Sequence, residues 1–71
     1  MHYSVSIKLK ELLDKKCMTQ KRLAELSGVR ESTISDIVRG SRTVINFTHL
    51  AKIAEALEID DIRDIIVLSK E

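Results

Sequence analysis

Apolar positions recur at intervals of three and four along most of this chain, the spacing of amphipathic helices. Ser4 is placed to cap a first helix running to about Lys16, with Val5, Leu9, Leu12 and Leu13 in one stripe. Thr19 caps a second, whose body is Gln20 to Leu26. A third runs from about Glu31 to Val38 or Arg39 and stops at Gly40. After a polar loop, Ser41-Arg42-Thr43, Asn46 caps a fourth helix in which Phe47, Leu50, Ala54 and Leu57 repeat on one face. Asp60 or Asp61 caps a fifth, with Ile62, Ile65 and Ile66 together. The absence of proline and the presence of only two glycines argue against strands joined by tight hairpins. The pattern predicts an all-α domain, a compact bundle of five short helices spanning residues 1–71.

Residues 20–39 carry more information than helicity. Leu23 and Leu26 place apolar groups on one face of the second helix, and Ala24 leaves room for a crossing helix. Gly28 supplies a backbone free to take positive φ. Ile34 and Ile37 then face back toward the second helix. A small residue four places before a turn glycine, with branched apolar groups six and nine places after it, is the helix-turn-helix pattern, and it points to DNA.

Composition narrows the alternatives. With 44% hydrophobic and 32% charged residues the chain is globular rather than disordered. No stretch of eighteen apolar residues exists, and no basic segment followed by an apolar run marks a secretory signal. The single cysteine, Cys17, excludes an intrachain disulfide, argues against zinc and points to a cytoplasmic chain. His2 and His49 lack metal-ligand company, and no nucleophile motif, phosphate loop or paired carboxylates appear; neither catalysis, a cofactor, a metal nor a small-molecule ligand is expected. Net charge is only +1. The charges are unevenly spread, however. Lys8, Lys10, Lys15, Lys16, Lys21, Arg22, Arg30, Arg39 and Arg42 precede an acidic last third containing Glu55, Glu58, Asp60, Asp61, Asp64 and Glu71. Such a split is compatible with one DNA-facing end.

Met18-Thr19-Gln20, Leu23-Ala24-Glu25, Gly28-Val29, Ser32-Thr33-Ile34-Ser35, Arg39-Gly40 and Leu50-Ala51-Lys52-Ile53-Ala54-Glu55-Ala56-Leu57 together resemble the phage-repressor (Cro/cI, Xre) helix-turn-helix family over roughly residues 5–66. The resemblance implies a small transcriptional regulator binding operator DNA as a dimer. Three positions depart from the family pattern. Leu13 and Val38 stand where many members pair a basic residue with glutamate, and an apolar pair can be as stable as the ion pair it replaces. Cys17 replaces a glycine at the end of the first helix, costing about 1 kcal/mol if the left-handed conformation is kept. Arg30 replaces the Ser or Thr that commonly caps the third helix, a cap worth about 1 kcal/mol.

The candidate DNA-binding residues are Thr19, Gln20, Arg30, Glu31, Ser32, Thr33, Ser35, Asp36, Arg39, Arg42 and Thr43. Ser32, Ser35, Asp36 and Arg39 cluster opposite Ile34, Ile37 and Val38 on a helical projection, with Glu31 at the edge; this is the face that would enter the major groove. Gln20 begins the second helix, where its amide and free backbone N–H groups can hold a phosphate, the role the resemblance assigns it. Thr19 reads first as a cap. Arg42 and Thr43 match positions that touch the DNA backbone in relatives.

At the C-terminus, Val67 and Leu68 fall off the face shared by Ile62, Ile65 and Ile66, so a fifth helix would be apolar around much of its circumference. A homodimer through Ile62, Ile65, Ile66, Val67 and Leu68, joined by Ile7 and Tyr3, would cover it; the alternative is that Val67 and Leu68 fold over the first helix or fray. The expected function is a sequence-specific regulator of double-stranded DNA, a repressor dimer on a palindromic operator. The rival is a protein-interaction module, an antitoxin or anti-repressor, favoured by the acidic groups on the third helix and by the near-neutral net charge.

Overall fold

Thr19 and Asn46 open helices as their side chains suggest. In the computed structural model, which describes residues 2–40 and 44–71, the chain forms α1 (Leu9–Lys15), α2 (Gln20–Ser27), α3 (Glu31–Arg39) and α4 (Phe47–Leu57). The Thr19 hydroxyl accepts from the Arg22 N–H at 3.0 Å, and Asn46 Oδ1 accepts from the N–H groups of Thr48 and His49 at 2.8 and 3.3 Å. Gly28 and Gly40 end α2 and α3 at φ of 76° and 66°.

Two helices stop without glycine. Cys17 ends α1 at φ 54°, where Met18 N–H reaches Leu13 C=O at 2.9 Å and Cys17 N–H reaches Asp14 C=O at 3.1 Å. Glu58 ends α4 at φ 56° with the same bond pair, Ile59 to Ala54 and Glu58 to Glu55. Both are Schellman closures, in which two satisfied carbonyls offset the strain on a residue bearing a Cβ.

Among the described residues the core is Leu9 and Leu13 of α1, Leu23 of α2, Val29 of the α2–α3 turn, Ile34 and Ile37 of α3, Leu50, Ile53 and Leu57 of α4, and Ile65. Leu13 is buried and Val38 packs against this cluster, so the two apolar replacements for the family's ion pair both join the interior. Leu26 and Phe47, expected in buried stripes, are instead exposed, Phe47 to 83%. Each sits at a helix end, where the neighbouring helix no longer covers it.

The five-helix expectation fails at both termini. Tyr3–Ile7 is strand β1 rather than the start of the first helix, and α1 begins at Leu9, six residues after the strand opens. In place of a fifth helix there is one 3-10 turn, Ile62–Asp64, followed by strand β2 (Ile66–Lys70). The Asp61 cap does form, its carboxylate accepting from Arg63 N–H at 2.9 Å, but it caps a single turn. The strands pair antiparallel, Tyr3 opposite Lys70 and Ile7 opposite Ile66. Among the described residues the fold is therefore four α-helices, a 3-10 turn and a two-stranded ribbon made from segments near both ends. Sparse proline and glycine argued against hairpins; a ribbon closed between termini needs no hairpin.

This changes the predicted dimer set. Ile65 is fully buried in the chain's own core and offers no surface to a second copy. Ile66 and Val67 are half-buried, whereas Ile62 and Leu68 are exposed. Val5, expected to line the first helix, points out of the ribbon at 67% exposure.

Candidate nucleic-acid interface

The α2–α3 unit is held by a short, well-bonded turn. Gly28 N–H closes on Ala24 C=O at 2.9 Å, and the Ser27 hydroxyl accepts from Val29 N–H at 3.1 Å. Val29 is then buried, which anchors the start of α3 against the core. Ile34 and Ile37 are buried on one side of α3. Glu31, Ser32 and Arg39 are consequently exposed, while Thr33, Ser35 and Asp36 lie half-buried on the flanks. Arg30 occupies the N-cap without any side-chain capping bond, as its replacement of Ser or Thr implies.

The charges on this helix are partly settled within it. Arg39 Nη2 donates to Asp36 Oδ1 at 2.6 Å across one turn. The pair removes one of the two acidic liabilities seen on the reading face, because Asp36 enters as half of an ion pair. Glu31 sits in the first turn of α3, where a carboxylate complements the helix dipole.

The N-terminus of α2 is different. Its first turn holds Gln20, Lys21 and Arg22 and no acid. Cations at the positive end of a helix are unfavourable for the helix alone and favourable once an anion arrives. Thr19 occupies the Arg22 N–H, which leaves the N–H groups of Gln20 and Lys21 directed out of the first turn. Gln20 is half-buried, so its side chain is the more confined of the two at this end. The fold thus brings Thr19 and Gln20 to the head of α2, and Arg30, Glu31, Ser32, Thr33, Ser35, Asp36 and Arg39 onto α3, which packs against α2. Arg42 and Thr43 lie outside the described residues.

Comparison with known proteins agrees with this geometry. The sequence model of the Cro/C1-type HTH DNA-binding domain matches residues 8–71. The chain belongs to the Cro/C1-type helix-turn-helix DNA-binding family. A solved structure, the crystal structure of the transcriptional regulator VanUg (Form II), is similar at 32% identity and a TM-score of 0.73, over 100% of this chain and 92% of that one. No curated protein matches the chain in sequence. This Cro/C1-type chain is thus a DNA-binding transcriptional regulator and not an enzyme. Among the described residues no helix is long and apolar enough to cross a membrane, and no group of three or more His, Cys, Asp or Glu could hold a metal ion.

Lys21 and Arg22 stand outside the candidate set that the sequence supplies. The signal that marks them is the missing acid in a first turn that carries two cations, and it is present in the sequence once Thr19 is read as the cap and Gln20 as the first helical residue.

Proposed function

We propose that this regulator is a repressor that binds a palindromic operator as a homodimer, with α3 in the major groove and the head of α2 on the DNA backbone. The observation that carries the reading is the contrast between two helix starts. The first turn of α2 has no acid and two cations, which suits a phosphate; the first turn of α3 carries Glu31, which suits bases better than backbone. Gln20, Thr19 and the basic Arg30 supply contacts to phosphate. Ser32, Thr33 and Ser35 supply hydroxyls able to donate or accept at base edges. Asp36, if the Arg39 pair opens, can accept from a cytosine amino group while Arg39 meets a phosphate. Arg42 and Thr43, matching backbone-contacting positions of relatives, extend the same phosphate track. Blocking a promoter requires no activating surface, which makes repression the simplest mechanism for such a domain.

Selection from random duplex DNA at moderate salt tests this. An enriched palindrome is expected. An enriched single half-site would retain the reader and remove the dimer, and no enrichment by the folded protein would move the function to protein interaction. Gln20→Ala should lower affinity for all sequences alike while leaving the salt slope unchanged, because a neutral amide displaces no counterion, whereas Ser32→Ala should change which sequences are preferred. Unchanged preference in Ser32→Ala and Asp36→Ala alike would remove α3 from the reading role.

A further inference from the structure

Among the described residues, no residue of β1 or β2 is fully buried, and the ribbon packs chiefly on itself. β2 runs along β1, and β2 also meets the 3-10 turn, while neither strand packs extensively on α2, α3 or α4. The direction of each backbone group along β1 follows from the bonds at its two ends. His2 and Glu71 exchange both main-chain bonds, at 2.8 and 2.7 Å, and Lys8 N–H donates to Ile65 C=O at 2.7 Å. In an antiparallel ladder doubly bonded pairs alternate with unbonded ones. His2, Ser4, Ser6 and Lys8 therefore turn their N–H and C=O groups toward β2. Tyr3, Val5 and Ile7 turn theirs outward, along an edge that no other strand among the described residues covers.

That edge lacks the usual protection. Sheet edges are ordinarily blunted by lysine, proline, a bulge or a covering element. From Tyr3 to Ile7 the sequence is Tyr-Ser-Val-Ser-Ile, without charge or proline, whereas the other edge, on β2, carries Lys70. One face of the ribbon is also largely apolar. Tyr3, Val5 and Leu68 share it, exposed to 63%, 67% and 67%, Ile7 and Ile66 continue it down onto the core, and at its tip Lys70, opposite Tyr3, holds its ammonium 5.8 Å from the centre of the Tyr3 ring.

We propose that the outward edge of β1 pairs antiparallel with the same edge of a second copy, about a two-fold axis at Val5, and that this is the dimer contact of the repressor reading on which the inference rests. The occupant is a second copy because the strand is self-complementary in that register. Val5 meets Val5, and Tyr3 meets Ile7 of the second copy, each pair aligning outward N–H with outward C=O. The axis is perpendicular to the sheet, so both apolar faces end on the same side. The exposed Tyr3 is thereby carried beside the second copy's Ile7, at the point where that copy's ribbon meets its core. A four-stranded sheet results, in the order β2-β1-β1-β2, whose outer edges are those bearing Lys70. Isologous pairing of this kind closes at two copies. It leaves α3 of both copies free, because α3 packs on α1 and α2 and not extensively on the ribbon.

Proline separates this edge from the ribbon's own ladder. Val5→Pro deletes an outward N–H and obstructs edge pairing, while the inward bonds of Ser4 and Ser6 survive. The full chain should sediment as a concentration-dependent dimer, and Val5→Pro should weaken self-association about tenfold or more, with an unchanged circular dichroism spectrum. In a Cys17→Ser background, Val5→Cys should form a disulfide-linked dimer on mild oxidation, since directly bonded pairs lie about 5.5 Å apart at Cα; this second variant decides the matter if Val5→Pro fails to fold. A dimeric wild type with an equally dimeric Val5→Pro, or with a Val5→Cys chain that does not cross-link, overturns the edge contact alone. A wild type that stays monomeric at all concentrations overturns the dimeric reading and the edge contact together.

Discussion

The helix-turn-helix body and the terminal ribbon are held together by different physics. In the body, ten buried apolar side chains from four helices and the flanking segments share one interior, and the stability comes from area removed from water. In the ribbon, four of the five residues of β1 are exposed. Its coherence comes from the main-chain ladder and from the side chains at its root, where Ile65 is fully buried and Ile7 and Ile66 rest against the core. Two-stranded ribbons are marginal alone. This one persists because its root is part of the interior, and its tip is free to serve as a contact surface.

Truncating the interior separates the regions most sharply. Ile34→Ala and Leu23→Ala should each cost about 2–5 kcal/mol in urea unfolding. Ile65→Ala should cost as much even though it lies at the foot of the ribbon, while Leu68→Ala, at the exposed tip, should remain within about 0.5 kcal/mol in the monomer. Equal costs for Ile65 and Leu68 would erase the distinction between root and tip.

A second contrast lies within the ribbon. Ser6→Pro should remove an inward ladder bond and lower amide protection across both strands, whereas Val5→Pro should not. Hydrogen exchange reads this directly. Loss of protection in both variants would show the alternation of bonded pairs to be misplaced.

Next in size come the helix ends. Cys17→Gly should stabilise the protein by about 1 kcal/mol, because glycine takes the left-handed conformation that Cys17 holds under strain. Asn46→Ala should cost about 1 kcal/mol by releasing two N–H groups of α4. Both changes should leave the ribbon's exchange pattern untouched. Any spread into β1 and β2 would mean the two regions are more tightly coupled than their packing implies.

The smallest effect is electrostatic and falls at the junction of the two regions. The Arg63 side chain, hydrogen-bonded to Asp61, together with the Arg63 N–H, holds the Asp61 carboxyl down at about 2 against an ordinary 3.8. A carboxyl depressed in the folded state contributes stability that is present above the unfolded value and is lost as pH falls through the folded one. The 3-10 turn leading into β2 should therefore loosen slightly as pH drops from about 4 toward 2. The pair is solvent-exposed, so the change is modest. Comparing the acid dependence of wild type and Asp61→Asn by unfolding measures it; identical profiles would remove Asp61 from the junction.

Much of the body was legible in the sequence because its signals are local. Thr19 and Asn46 are side chains that bond N–H groups two or three residues away. Gly28 and Gly40 stand where the backbone must reverse hand, and Leu23, Ile34, Ile37, Leu50 and Leu57 repeat with the helical period. The departures Cys17 and Arg30 also behave as their chemistry requires, one strained and one without a cap bond. Of the candidate interface, the residues on α3 follow from the burial of Ile34 and Ile37. The acid-free head of α2 was also legible, since Thr19 as cap sets Gln20, Lys21 and Arg22 in its first turn.

The ribbon was partly legible and was missed. Tyr3-Ser4-Val5-Ser6-Ile7 alternates with a period of two, and Ile66-Val67-Leu68 is rich in β-branched residues, both strand signals. The helical period of the residues beyond runs into both segments and masks these signals. Local pattern alone cannot show that Tyr3 finds its partner at Lys70, almost the whole chain away. A helix satisfies its backbone within four residues, so local sequence determined where α2, α3 and α4 start and stop. A strand satisfies its backbone on another segment, so its existence, register and free edge are decided only when the tertiary structure brings the two ends of the chain together.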